Sequence, residues 1–303
     1  LTPLLQLFSN NLLPILLTAS AGYIFGKLLE VDARTVSRVV FYVFSPCLVF
    51  KLLTANQLAG DDVFRIVAFA FVSSSLVGLV AYLLGRAFKL ERRMLLAVVL
   101  TSTLLNAGNY GLSLNSFAFG ETALAYASIF FIASATITYT VGVVIASMGS
   151  VSFKDALLGL RKIPTVYALI FALPFNAFHI TLPTFADRAV TLLSDAAIPG
   201  MLVLLGLQFQ RSTWTDKLRA LGLANAVRLL VGPAIAIGLS LLFNLRGPAQ
   251  QAAVTEASMP TAVMSTALAT EFDLEPGFVT TVVTTTTLLS PLVLTPLLAY
   301  LGA

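Results

Sequence analysis

Long apolar runs, separated only by short polar stretches, follow one another from end to end of this chain. Each is about 20 residues long, the length of helix that crosses the hydrocarbon of a bilayer. Residues are 58% hydrophobic and 11% charged, with a mean hydropathy of +0.93. Soluble domains carry roughly 25% charged residues. A water-soluble fold of 303 residues has no interior large enough to hide this apolar surface, so lipid is the expected solvent for much of it. Ten spans are expected: Leu4 to Gly26, Val36 to Leu53, Val63 to Gly85, Met94 to Phe117, Thr122 to Ser147, Ile163 to Phe178, Ala189 to Phe209, Leu218 to Phe243, Ala249 to Thr270 and Gly277 to Leu301. They leave no room for a soluble catalytic domain. The first run has no basic residue before Lys27, so it reads as a retained helix rather than a secretory leader. Cys47, the single cysteine, has no partner for an intrachain disulfide.

The net charge of +4 points to cytoplasmic loops rather than to nucleic acid. Lys27, Arg34, Arg38, Arg86, Lys89, Arg92, Arg93, Lys154, Arg161, Lys162, Arg211, Lys217 and Arg219 fall at the ends of odd-numbered spans, on one side. The opposite loops hold Arg188 and Arg246, with Lys51 and Arg65 at their edges. The basic side is expected to face the cytoplasm of an inner, cell membrane, which leaves both termini extracytoplasmic. A shift of 154 positions superposes Arg34 on Arg188, Asp62 on Asp216, Gly78 on Gly232 and Arg92 on Arg246. Halves of five spans each, 1–150 and 151–303, would enter the membrane from opposite sides. That is an all-α membrane fold of two inverted five-helix repeats.

Two spans are interrupted at matching places. The fourth contains Asn106-Ala107-Gly108-Asn109-Tyr110-Gly111, and the ninth contains Glu256-Ala257-Ser258-Met259-Pro260-Thr261. Glycine weakens a helix and proline removes a backbone donor. Unpaired backbone at membrane depth is tolerated where protein or a water-filled cavity receives it. Either segment alone is explained by kinking or close packing. Paired breaks in two halves point instead to a transport site near the midplane. Asn106, Gly108, Asn109, Tyr110, Met259, Pro260 and Thr261 are therefore the candidate substrate-binding residues, with helix N-termini offering partial positive charge to an anion.

These residues resemble a known family. Asn106 to Leu114 with Phe119-Gly120-Glu121, Glu256 to Val263 with Glu271-Phe272-Asp273, and Ala197-Ile198-Pro199 with Leu205-Gly206-Leu207-Gln208 are similar to the fourth, ninth and seventh helices of the auxin efflux carrier family. The resemblance covers nearly the whole chain. It implies broken helices four and nine that cross in a mobile transport domain of helices 3–5 and 8–10. It also implies a scaffold of helices 1, 2, 6 and 7, often dimeric, and an elevator-type movement. The implied substrates are small carboxylates or auxin-like acids. Many relatives have proline where this chain has Gly108, and often where it has Ser113.

Glu256 is expected to bind a coupling ion, a proton or sodium, or else to pair with a helix end or Arg228. Asp195 is a candidate support-site acid, or a hydrogen-bonding group within the scaffold. Arg228 reads better as a structural counter-ion than as an anion attractor. The hydroxyls of Ser128, Ser134, Thr136, Thr138 and Thr284 to Thr287 either line a cavity or, more commonly, bond back to their own helices. His179 is expected at the surface and Trp214 at an interface. An intramembrane enzyme would need a nucleophile with its base, or a metal with ligands, and one His with one Cys forms neither. A channel would need a filter-like stretch. Neither metal nor organic cofactor is expected. A bile-acid-type sodium symporter shares the ten-helix plan and stands as the alternative. The reading is a secondary transporter for a small organic anion.

Overall fold

The computed structural model describes residues 2–55, 60–148, 151, 164–178, 180–211 and 215–303. His179, Trp214, Lys154, Arg161 and Lys162 lie outside the described residues. Every regular element among the described residues is a helix. Among the described residues, seven helices are long and apolar enough to cross a membrane: α1 (Pro3–Leu29), α2 (Ala33–Ala55), α3 (Gly60–Ala87), a run Ala107–Ala146, α8 (Thr184–Gln208), α9 (Leu218–Leu242) and α12 (Pro276–Leu301). The run Ala107–Ala146 is divided at Gly120, whose φ of 76° and ψ of −166° no helix accommodates. The part before it, 107–119, is α5, and the part after it, 121–146, is α6.

The other three expected spans are shorter or broken. The fourth begins as α4 (Arg92–Thr103) and resumes as α5. The sixth is α7 (Pro164–Ala177). The ninth is α10 (Gly247–Ala257) followed by α11 (Met264–Glu271). Local chemistry explains several ends. Asp32 caps α2 by accepting from the backbone N–H groups of Arg34 and Thr35. Asp61 and Asp62 open α3 and Arg86 closes it, each suited to the dipole at its end.

α1 packs along the second half of α8, and α2 packs against α7 and the first half of α8. Glycines set the first contact: a Cβ on Gly22 would strike the Val203 carbonyl, and one on Gly206 the Ala19 carbonyl. Small residues let helices approach closely in lipid, where dispersion rather than water exclusion drives association. α3 packs on α4, while α10 packs against Ser113–Ile137 and α9. Outside this core, Leu17, Leu28, Phe64, Leu192, Leu230, Leu242 and Leu292 are all more than half exposed, a surface suited to acyl chains.

Candidate substrate site

α4 ends where Leu104 turns to extended backbone (φ −89°, ψ 124°), and helical turns resume at Ala107. α10 ends at Ala257, and helix resumes at Met264. The two gaps meet as an isolated antiparallel bridge between Leu105 and Thr261. Asn106 N donates to Pro260 O at 2.8 Å, and Ala262 N donates to Leu104 O at 2.9 Å. Pro260 thus sits where only its carbonyl is needed, so its missing N–H costs nothing. Thr261 Oγ1 donates to Thr101 O at 2.8 Å, and Thr261 N donates to Thr286 Oγ1 at 3.2 Å. Several backbone groups freed by one break are thus received by the other, and Thr261 N by α12, as burial in a membrane protein requires.

A cavity of about 620 Å³ opens on one face of this crossing. Asn106, Gly108 and Asn109 contribute to its wall from the first break, and Ala262, Val263 and Met264 from the second. α5 and α11 therefore begin on the same cavity, and helix N-termini present unpaired N–H groups and partial positive charge. Asn109 Nδ2 reaches Gln208 Oε1 of α8 at 3.4 Å, a long contact. Asn109 Oδ1 and Asn106 Nδ2 are buried without a protein partner among the described residues. Phe131 lies against Gly108, where a Cβ would come within 2.9 Å of the ring. An aromatic ring thus occupies the space that opens beside a residue without a side chain.

Tyr110, Met259 and Thr261 are fully buried and Pro260 is buried, and none of the four is among the residues lining the cavity. Tyr110 OH accepts from Ser290 Oγ at 3.2 Å. The structure therefore separates the expected residues into Asn106, Gly108 and Asn109 on the wall and Tyr110, Met259, Pro260 and Thr261 in the supporting layer. Ser134, Thr138 and Thr284 also reach the wall, yet the hydroxyls of Thr138 and Thr284 bond back to Ser134 O and Thr280 O. Thr285, Thr286 and Thr287 do the same within α12.

Two segments, 7–155 and 147–298, match the sequence model of a family described as Membrane transport protein. The chain belongs to the auxin efflux carrier family of membrane transport proteins. It is 31% identical to an uncharacterized transporter of Methanothermobacter thermautotrophicus over 292 residues, 93% of this chain and 94% of the relative. An uncharacterized transporter of Methanocaldococcus jannaschii is 29% identical over 290 residues, 92% and 94% of the two chains. Auxin efflux carrier component 3a of Oryza sativa subsp. japonica is 27% identical over 126 residues, 40% of this chain and 20% of that protein.

In this carrier Glu256 is fully buried in the last turn of α10. Asn115 Nδ2 donates to its Oε1 at 3.0 Å, and its carboxylate lies against Gly111. Glu256 Oε2 and Asn115 Oδ1 have no partner among the described residues. Glu256 does not line the cavity. Asp195 does not line this cavity either: it pairs with Lys51 at 3.0 Å, bridging α8 and α2. That pair lines a second cavity of about 400 Å³, with Thr18, Ser116, Glu121 and Ser194. Gln208 and Phe131 had no separate signal as site residues. For Gln208 the available sign was one amide in the apolar run Leu202 to Phe209. For Phe131 there was none, because one aromatic in an apolar helix is indistinguishable from packing.

Proposed function

We propose that this carrier is a secondary transporter that moves a small organic anion by elevator-type alternating access. The observation that carries the reading is the joint opening of two half-helix N-termini, at Ala107 and Met264, on one cavity with unpartnered asparagine groups beside them. Electrostatics there favour a carboxylate, and the apolar surface of Phe131, Tyr139 and Phe209 suits the body of an organic acid. The names of the plant relatives support an auxin-like acid or another carboxylate as the class.

In this reading the chain crosses the membrane ten times, as two inverted repeats divided near residue 150. α1, α2, α7 and α8 form the scaffold, and α3–α6 with α9–α12 move against it. Both termini are extracytoplasmic, so the larger cavity, with Arg34 and Ser37 at its edge, faces the cytoplasm. Asn109 reads the substrate, while Glu256, buried and without an ion-pair partner among the described residues, exchanges a coupling proton.

The test is ligand-dependent melting of the purified protein with malate, malonate, an indole acid and a bile acid. A ligand bound to the folded state alone raises apparent stability by mass action. A shift with one acid that is lost in Asn109→Ala, together with uptake of that acid into proteoliposomes, supports the reading. No shift and no uptake with any acid overturns the assignment of an organic anion.

A further inference from the structure

The C-terminal ends of α4 and α10 are the negative ends of two half-helix dipoles, and both lie inside the protein. Arg228 of α9 reaches both of them. Its Nη1 donates to Ser102 O at 2.9 Å, and its Nη2 donates to Ala257 O. The side chain is fully buried, and it pairs with no carboxylate among the described residues. It does not line the substrate cavity. The local sequence makes room for it. Val227–Val231 forms a wide π-type turn, and a Cβ on Gly232, four residues on, would come within 2.6 Å of Nη2.

A buried cation needs compensation, and here the compensation is carbonyl oxygen from two broken helices rather than a carboxylate. Discontinuous transporter helices hold a sodium ion in the same electrostatic setting, between unwound carbonyls and half-helix C-termini. In this chain the positive charge is covalently attached. We propose that Arg228 is a resident monovalent cation at the crossing, occupying the position of an alkali coupling ion and making this carrier independent of Na⁺. The fixed charge pins α4 to α10 in every state of the cycle, and it cannot leave with the substrate. Independence of transport from Na⁺ rests on the transporter reading above; the cation position at the crossing does not.

Melting curves in detergent test the position without any substrate. Wild-type protein should melt at the same temperature when Na⁺ is replaced by choline at constant ionic strength. Arg228→Ala should melt far lower, and low-millimolar guanidinium should recover a large part of the loss, with Na⁺ recovering less and choline none. Arg228→Met, which fills the space without charge, should melt low and respond to neither ion. Arg228→Lys should fold, melt between wild type and Arg228→Met, and stay indifferent to Na⁺; this variant carries the test if the alanine protein cannot be purified. Arg228→Met melting at or above wild type, or Na⁺ stabilising the wild type or the lysine variant, would overturn the proposal. So would uptake by wild-type proteoliposomes that stops without Na⁺. Failure to find any transported acid would count against the functional reading alone and leave these melting results standing.

Discussion

Gly111 has no room for a side chain, because the Glu256 carboxylate lies where its Cβ would stand. Gly111→Ala must push the carboxylate away from Asn115, whose amide is its one described hydrogen-bond donor. Loss of a buried hydrogen bond to a charged or polar group costs about 1–3 kcal/mol. Gly111→Ala is therefore expected to lower the melting temperature, and Asn115→Leu to abolish the same contact with less steric strain. If both variants melt like wild type, the Asn115–Glu256 contact does not hold this interface. Asp32, outside the membrane, has a different pH logic. Its carboxylate accepts from Thr35 Oγ1 and from the N–H groups of Arg34 and Thr35, which hold its pKa below the usual 3.8. Those bonds favour the charged form, so the cap is complete above the unfolded value and is lost as pH falls through the lower folded one. Asp32→Ala should speed amide exchange at Arg34 and Thr35 at neutral pH. In wild type the same acceleration should appear only in acid, and appearance near pH 7 would contradict the cap.

At the level of elements, the crossing is held by exchanged backbone bonds more than by its proline. Thr261→Val removes the donor to Thr101 O and leaves a buried carbonyl at the end of α4 without it. The expected cost is about 1–3 kcal/mol, read as a lower melting temperature in detergent. Pro260→Ala leaves the bonds from Asn106 N to Pro260 O and from Ala262 N to Leu104 O untouched, so the break should persist with little loss of stability. A Pro260→Ala protein that loses as much stability as Thr261→Val would mean that the proline, not the bridge, keeps the helix open. The glycine contacts between α1 and α8 are equally specific. Gly206→Leu would force the two helices apart at Ala19 and Tyr23, where backbone meets backbone.

For the whole molecule, two cavities lie along the contact between the α1, α2, α7, α8 group and the rest. The larger is lined by Ala267 and Thr138, the smaller by Ser194 and Asp195. In the proposed topology they open on opposite sides of the membrane. Against a Cys47→Ser background, Ala267→Cys should react with an impermeant thiol reagent from the cytoplasmic side only, and Ser116→Cys, on the wall of the smaller cavity and only half-buried, from the outside only. Labelling of both from the same side would refute that orientation.

Much of this was legible in the residues alone. Apolar runs of bilayer length dictate a multi-pass helical membrane protein, since lipid offers the backbone no other partner. Gly108, Asn109 and Pro260 marked where two helices break, because propensity and a missing donor are local properties. What local chemistry does not encode is which distant groups receive the freed backbone. Pairing of Leu105 with Thr261, Arg228 with the ends of α4 and α10, and Glu256 with Asn115 joins residues far apart in sequence. Those contacts follow from helix packing, which the sequence pattern of each helix constrains only to a face. Packing likewise decided that Asn106, Gly108 and Asn109 meet the cavity while Tyr110, Met259, Pro260 and Thr261 support it from within. A break has two sides, and only the third dimension determines which one is wet.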